Sequence, residues 1–217
     1  MAAEHGKSTA TPRATAGPVL AALRCHGLLL KQDKMLPSVV GLVTGEALSA
    51  SWWSHPQAKA IFDLLHALSE RSDVLETKLI GGKVTFVHEL LWPAWLGLVT
   101  SDEGWQTTGL SAAAKKLRTE VNRAGEREAS GAAVKELELR LLVRSEQRHT
   151  ESGKHVLVLE SWEKWAKKRA VRVLPVAESK AALERAARSL GAPLTALPWH
   201  AQRRSGTRRR RLGRPAT

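Results

Sequence analysis

The sequence predicts an α+β protein, mostly α with short β-hairpins, and three observations carry that class. Apolar residues recur at helical spacing through most of the chain, as at Val134, Leu137, Leu141 and Leu142. Two β-rich stretches are broken by glycine turns. One runs from Val74 to Ile80 and from Val84 to His88 around Gly81-Gly82-Lys83; the other flanks Ser152-Gly153 up to Trp162. Helix followed by hairpin occurs twice, which admits two related units, although no residue-level repeat is visible.

At 217 residues the chain is long enough for one medium domain or two small ones. Five segments are expected: a disordered N-terminus over 1–17, a Trp-rich helical unit with a hairpin over 18–105, a helix-and-hairpin unit over 106–170, a C-terminal helix over 171–200, and a disordered Arg-rich tail over 201–217. The formal charge is +13, from 34 Lys and Arg against 21 Asp and Glu. Seven Arg and no acid lie beyond Gln202, which leaves about +6 on the body. A basic body with an Arg tail favours a polyanionic partner through counterion release from nucleic acid. The plain alternative is a solubilising tail.

Cys25 is the single cysteine, which excludes an intrachain disulfide and suits a reducing, cytoplasmic setting. The N-terminus has no apolar core of a secretory signal, and no apolar run reaches the ~18 residues of a membrane span. Abundant Ala and Arg with no Tyr suit a GC-rich, bacterial coding sequence.

Taken in order, Pro18 to Leu30 is predicted as one helix through Val19, Leu20, Leu23 and Leu28-Leu29-Leu30, with Cys25 and His26 packed in its core. A short helix follows Pro37-Ser38 and stops at Gly45. Ser54-His55-Pro56 has the form of an N-cap and first turn for a helix burying Ala58, Ile61, Phe62, Leu65 and Leu68. Leu90 to Val99 is an apolar helix with Pro93 in its first turn. Trp52, Trp53, Trp92, Trp95 and Trp105 fall in this half, as core volume or, alternatively, as a stacking platform or ligand pocket.

Ser111 caps a helix over Ala112–Ala124, with Ala113, Leu117 and Val121 inward and Lys115, Lys116, Arg118 and Arg123 outward. Gly125 ends it, and Glu126 to Ala129 is a polar connector. After the second helix and hairpin come a basic helix from Trp162 to Lys168, a short strand or linker over Val171–Pro175, and an Ala-rich helix over Glu178–Leu190. Disorder is expected beyond His200.

The stretches Lys135-Glu-Leu-Glu-Leu-Arg-Leu-Leu-Val143, His149-Thr-Glu-Ser-Gly153 and Leu159-Glu-Ser-Trp162 resemble the last helix and wing of a winged helix-turn-helix. The block from Trp52 onward resembles the bacterial winged-helix superfamily that includes interstrand-crosslink DNA glycosylases. The resemblance covers about half the chain and implies winged-helix-like units that bind DNA, a helix in the major groove and the hairpin on phosphate or minor groove. On that scheme Ala112–Ala124 stands as the middle helix, with Leu90–Val99 before it. The glycosylases' Gln-apolar-Gln motif has no counterpart, since Gln32, Gln57, Gln106, Gln147 and Gln202 are isolated. The resemblance therefore implies binding without catalysis.

The expected DNA contacts are Lys115, Lys116, Lys135, Arg140, Arg144, Arg148, His149, Lys154 and His155, with Arg208, Arg209, Arg210 and Arg211 of the tail. Glu136, Glu138, Glu146 and Glu151 are interleaved and weaken the local field; the plain alternative is an ion-paired, solvated helix and hairpin. No cofactor or metal is expected.

Two other classes stay open. One is a nucleic-acid-processing enzyme, glycosylase-like or a metal-dependent nuclease; for the latter, Asp63 with Glu76-Thr77-Lys78 would supply two carboxylates to hold Mg²⁺ and a lysine to orient water. A Trp-lined groove would suit a protein-interaction adaptor. His149, Glu151 and His155 form a conceivable metal trio, although two His on a hairpin are more often polar surface. No Ser-His-Asp order, phosphate-cradling Gly loop or Cys-x-x-Cys pair occurs.

Overall fold

The computed structural model of the chain describes residues 12–149 and 154–201. The Ser152-Gly153 turn, the N-terminus before Pro12 and the Arg tail lie outside the described residues.

The first half is built on a three-stranded sheet. Helix α1 (Pro12–His26) buries Val19 and Leu23 and stops at Gly27, whose φ of 72° lies in the left-handed region and whose Cβ, were there one, would meet Leu91 Cδ1 at 2.7 Å. The structure corrects two expectations here. The helix begins at Pro12, inside the stretch read as disordered, and Leu28-Leu29-Leu30 leaves it to form strand β1 (Leu28–Leu30). A run of buried leucines has no period of its own, so the turn at Gly27 decides. Cys25 is exposed rather than packed, and His26 Nδ1 is hydrogen-bonded to Ser189 Oγ at 2.9 Å.

Helix α2 (Val39–Thr44) runs between Ser38, whose hydroxyl accepts from the Gly41 N–H, and Gly45 at φ 75°. A 3₁₀ turn over Trp52–Ser54 is capped by Ser51, and α3 (Ala58–Ser69) starts later than expected. Ser54 is not its N-cap: Gln57 precedes the helix, and His55 Nδ1 accepts from the Gln57 N–H. α3 buries Ile61, Leu64, Leu65 and Leu68, an i, i+3, i+4, i+7 stripe. Phe62, expected inward, falls off that stripe and is 51% exposed.

Strands β2 (Val74–Thr77) and β3 (Thr85–His88) form the hairpin around Gly81-Gly82, and β1 pairs antiparallel with the other edge of β3. The sheet order is β1-β3-β2. Helix α4 (Trp92–Val99) follows directly.

The second half follows the same outline with one helix fewer between strand and hairpin. After α5 (Gly104–Thr107) come α6 (Ala112–Ala124), β4 (Glu126–Glu128), α7 (Ala132–Leu139), β5 (Arg144–His149), β6 (His155–Glu160) and α8 (Trp162–Lys167). The sheet order is β4-β6-β5, all antiparallel. Glu126 to Glu128 is thus an edge strand and not a connector, because the turn at Gly125 (φ 79°) aims it along β6. It follows that α6 stands before the first strand, as α1 does, and not as a middle helix. Within α6, Ala114 and Val121 are buried, whereas Ala113 is exposed and Leu117 only half-buried. Residues 171–175 form no strand; α9 (Val176–Ser189) and α10 (Pro198–Ala201) complete the described chain.

Both halves therefore read helix, positive-φ glycine, three-residue strand, hairpin, helix, with two helices (α2 and α3) between strand and hairpin in the first half and one (α7) in the second. Each hairpin is followed by Trp-x-x-Trp, Trp92 and Trp95 in α4 and Trp162 and Trp165 in α8. These four rings meet crosswise and edge-on: Trp92 on Trp165 at 5.0 Å between centroids, Trp95 on Trp162 at 5.5 Å, each at 75°. First-on-last pairing of two like motifs is what a local two-fold axis produces. Arg169 lies over Trp165 and Trp92, at 4.4 and 5.3 Å from their centroids.

The tetrad belongs to a large core that spans the first sheet, α4, α8 and α9; Leu110, Ala114, Val121, Val134, Leu137, Leu142, Val143 and Leu159 form a second, smaller core. α9 packs on α4 through Gly97, where a Cβ would lie 2.1 Å from the Leu174 carbonyl oxygen and 2.2 Å from Ser179 Oγ. Gly97→Ala is therefore expected to push α9 off α4 and cost about 1–3 kcal/mol, read as a lower thermal midpoint. A midpoint at or above the parent's would show that α9 gives way without cost.

Candidate nucleic-acid interface

The basic surface of the second half is assembled by α6 and α8. α6 is anchored at its start: Ser111 Oγ accepts from the Ala114 N–H, and Glu136 of α7 accepts from the Ser111 N–H at 3.0 Å and hydroxyl at 2.7 Å. Those bonds from Ser111 hold the Glu136 carboxyl below its ordinary value. With Ala114 and Val121 fixed inward, Lys115, Lys116, Asn122 and Arg123 are left in solvent. Helical spacing sets Lys116 and Arg123, seven apart, on one line.

At the end of α6, Gly125 serves two purposes. Its positive φ turns the chain into β4, and its missing side chain admits Lys164 of α8, whose Cδ would stand 2.8 Å from a Cβ. The Ser161 N–H, which opens α8, donates to the Gly125 carbonyl at 2.9 Å. Between the two helices lies an open cleft of about 480 Å³, lined by the cations Arg123, Lys164, Lys167 and Lys168 and by the acid Glu163. Lys164 holds Glu126 at 2.7 Å, Lys167 holds Glu163 at 2.8 Å and Lys168 holds Glu160 at 2.6 Å. Each ammonium keeps further donors for a phosphate oxygen. The bond from Lys164 also keeps the Glu126 carboxyl below its ordinary value. Sequence reading missed this cleft: the Lys164, Lys167, Lys168 run was visible, but its approach to Arg123 depends on the turn at Gly125.

The residues expected to meet DNA divide into two groups. Lys115 and Lys116 on α6 and Lys135 on α7 are exposed, and neither they nor Arg123 has a carboxylate partner among the described residues. Lys154 and His155 are exposed where β6 leaves the hairpin tip, and His149 pairs with His155 in the register of the hairpin. The arginines are bonded within the fold. Arg140 donates to the carbonyls of Trp105, Gln106 and Thr108 at 3.1, 3.2 and 2.7 Å, tying α5 to the end of α7. Arg144 bridges Glu146 and Glu160, both at 3.1 Å, and Arg148 lies between Glu146 at 3.1 Å and Glu126 at 3.6 Å. Burial works to raise the Glu146 carboxyl, but bonds from Arg144 and Arg148 outweigh it and hold the group below its ordinary value. Arg208 to Arg211 and Glu151 lie outside the described residues.

Of the groups considered for metal-assisted chemistry, Lys78 and Asp63 are otherwise engaged. Lys78 donates to Glu138 at 2.5 Å, a carboxylate that also accepts from Ser145 Oγ at 2.5 Å, so these bonds tie the first hairpin to the second half. Glu76 keeps some exposed surface, yet crowding by protein pushes its carboxyl upward against the pull of Lys31, Arg144 and Lys78. Asp63 is paired with Lys59 on the outer side of α3. Among the described residues, Asp73, His88 and Glu89 have the spacing of a metal site. There Arg71 already grips both oxygens of Asp73 at 2.7 Å. His88 Nδ1 accepts from the Leu90 N–H, which assigns the ring proton to Nε2, the atom facing Asp73 at 4.0 Å. A cation there would have to displace both a guanidinium and a proton, so the cluster reads as a closed joint at the hairpin base.

No helix among the described residues is long and apolar enough to cross a membrane. Comparison of the chain with protein-family models, with curated proteins and with solved structures finds no match.

Proposed function

We propose that this chain is a DNA-binding protein of two winged-helix-like units that holds duplex through phosphate contacts on its second unit. The helix, strand, helix, hairpin order and the shared strand order of the two sheets support the winged-helix reading. The observation that carries the partner is the asymmetry of charge. Residues 12–100 hold eight Lys and Arg against seven Asp and Glu; residues 101–201 hold eighteen against thirteen. The excess gathers where cations lack carboxylate partners among the described residues, at Lys115, Lys116, Arg123 and Lys135, and beside the cleft lined by Lys164, Lys167 and Lys168. The tail of seven Arg extends the same charge. With Arg140, Arg144 and Arg148 internally bonded, base reading by the wing has little support, and the contacts are phosphate-directed.

Anisotropy titrations of labelled duplex across salt test this. Affinity is expected to fall by at least about tenfold between 50 and 200 mM salt, with little dependence on sequence. Lys116→Glu together with Lys167→Glu should weaken binding further and reduce the salt slope by roughly one for each phosphate no longer neutralised. Absence of binding at low ionic strength, or binding without a salt slope, would overturn the proposal.

A further inference from the structure

Helix α3 carries a stripe that neither core nor basic face uses. Lys59, Phe62, Asp63, His66 and, just past the helix, Glu70 fall within about 100° of one another at helical spacing, opposite the buried leucines. Its apolar part is an aromatic ladder. Trp53, 64% exposed, lies on the buried Trp52 at 4.1 Å between centroids and meets Phe62 at 5.9 Å; Phe62 stacks on His66 at 6.5 Å. Large rings held together in solvent mark an interaction surface rather than scattered exposure.

The charges along the stripe say what covers it. Their order is cation at Lys59, anion at Asp63, imidazole at His66, anion at Glu70. A nucleic-acid strand stacking bases on Trp53 and Phe62 would run its phosphates past the carboxylates of Asp63 and Glu70, with Lys59 the single cation of the stripe. A second α3 laid antiparallel finds the reverse. Centred between Asp63 and His66, a two-fold sets Lys59 opposite Glu70 and Asp63 opposite His66, with the Phe62 rings near the axis. Such self-complementarity is what an isologous interface requires.

We infer that the α3 stripe, with Trp53, is the surface through which two copies of this chain pair. The pairing is independent of DNA binding. It would give the complex two basic faces related by symmetry.

Sedimentation velocity of the full chain over a concentration series, without nucleic acid, tests it. A concentration-dependent dimer is expected, weakened by about tenfold or more in Phe62→Asp and in Lys59→Glu. Mixing the Lys59→Glu chain with a Glu70→Lys chain should restore a heterodimer tighter than either variant forms alone. All three side chains are solvent-facing, and circular dichroism should show the parent fold. A chain that stays monomeric throughout, or a dimer indifferent to these changes, would overturn the inference. So would a monomer whose Trp fluorescence is quenched by oligothymidylate except in Trp53→Ala, which would give the face to unpaired nucleic acid.

Discussion

Trp95→Ala is expected to cost about 3–5 kcal/mol and to split unfolding into two transitions. Trp95 is 0% exposed, and its ring meets Trp162 in the tetrad that α4 and α8 build together. Removing its indole opens a cavity where the edges of Trp162 lose their partner, and α4 belongs to the first half while α8 follows the second hairpin. The smaller core around Leu137, Val143 and Leu159 does not include the tetrad, so it has the means to melt separately once the coupling is weakened. Calorimetry reads both effects: the midpoint of the first transition and the appearance of a second. Trp95→Phe provides the control. The Trp95 Nε1 has no hydrogen-bond partner among the described residues, whereas Trp162 Nε1 donates to the Leu141 carbonyl at 2.8 Å. Phe at 95 should therefore cost less than Phe at 162, where the lost bond adds about 1 kcal/mol. A Trp95→Ala chain that loses under about 1 kcal/mol would show that the halves are joined elsewhere.

The same tetrad shows what sequence could and could not disclose. Both hairpins were legible, because the turn residues Gly81-Gly82 and Ser152-Gly153 and the β-rich runs beside them depend on local chemistry. Strands β1 and β4 were not. Each is three residues long, and each is a strand only because a partner, β3 or β6, arrives from far along the chain. β1 looked like the end of a helix because all three of its leucines are buried, and β4 like a connector because Glu-Arg-Glu lies on a sheet edge. Missing those two strands left the two related units as a helix-and-hairpin outline only, and hid the meaning of Trp-x-x-Trp.

For the site, the sign of the charge was readable but its employment was not. Arg144 and Arg148 stand beside an acid in the sequence at Glu146, but Glu160 reaches Arg144 from the neighbouring strand β6 and Glu126 reaches Arg148 from β4, across β6. Lys116, Arg123 and Lys135 look no different in the sequence, yet have no carboxylate partner among the described residues. Which basic residues remain for a polyanion is a property of tertiary pairing.

Glu160→Ala should make that pairing measurable, with a loss of about 3 kcal/mol or more. Glu160 is 2% exposed at the end of β6, and its carboxylate receives Arg144 at 3.1 Å and Lys168 at 2.6 Å. Without it the largely covered Arg144 side chain, whose Nε already lacks a partner among the described residues, keeps only Glu146. Lys168, half in solvent, can turn to water, so Lys168→Ala should cost under about 1 kcal/mol. That contrast between the two ends of one ion pair, read from denaturant midpoints at neutral pH, separates a buried charge from a surface one. Acid should strip the ion pairs of Glu146 and Glu126 progressively. Glu146 and Glu126 both titrate below their ordinary 4.5 when folded, so their contribution is complete above that pH and is lost as pH falls through the lower folded values. Stability measured from pH 7 downward should thus hold until about 4.5 and then decline. A variant with Glu146→Gln should decline less, because one of the carboxylates whose protonation drives the loss is gone. A parent protein whose stability rises as the pH falls below about 4.5 would show that these acids do not hold the hairpin.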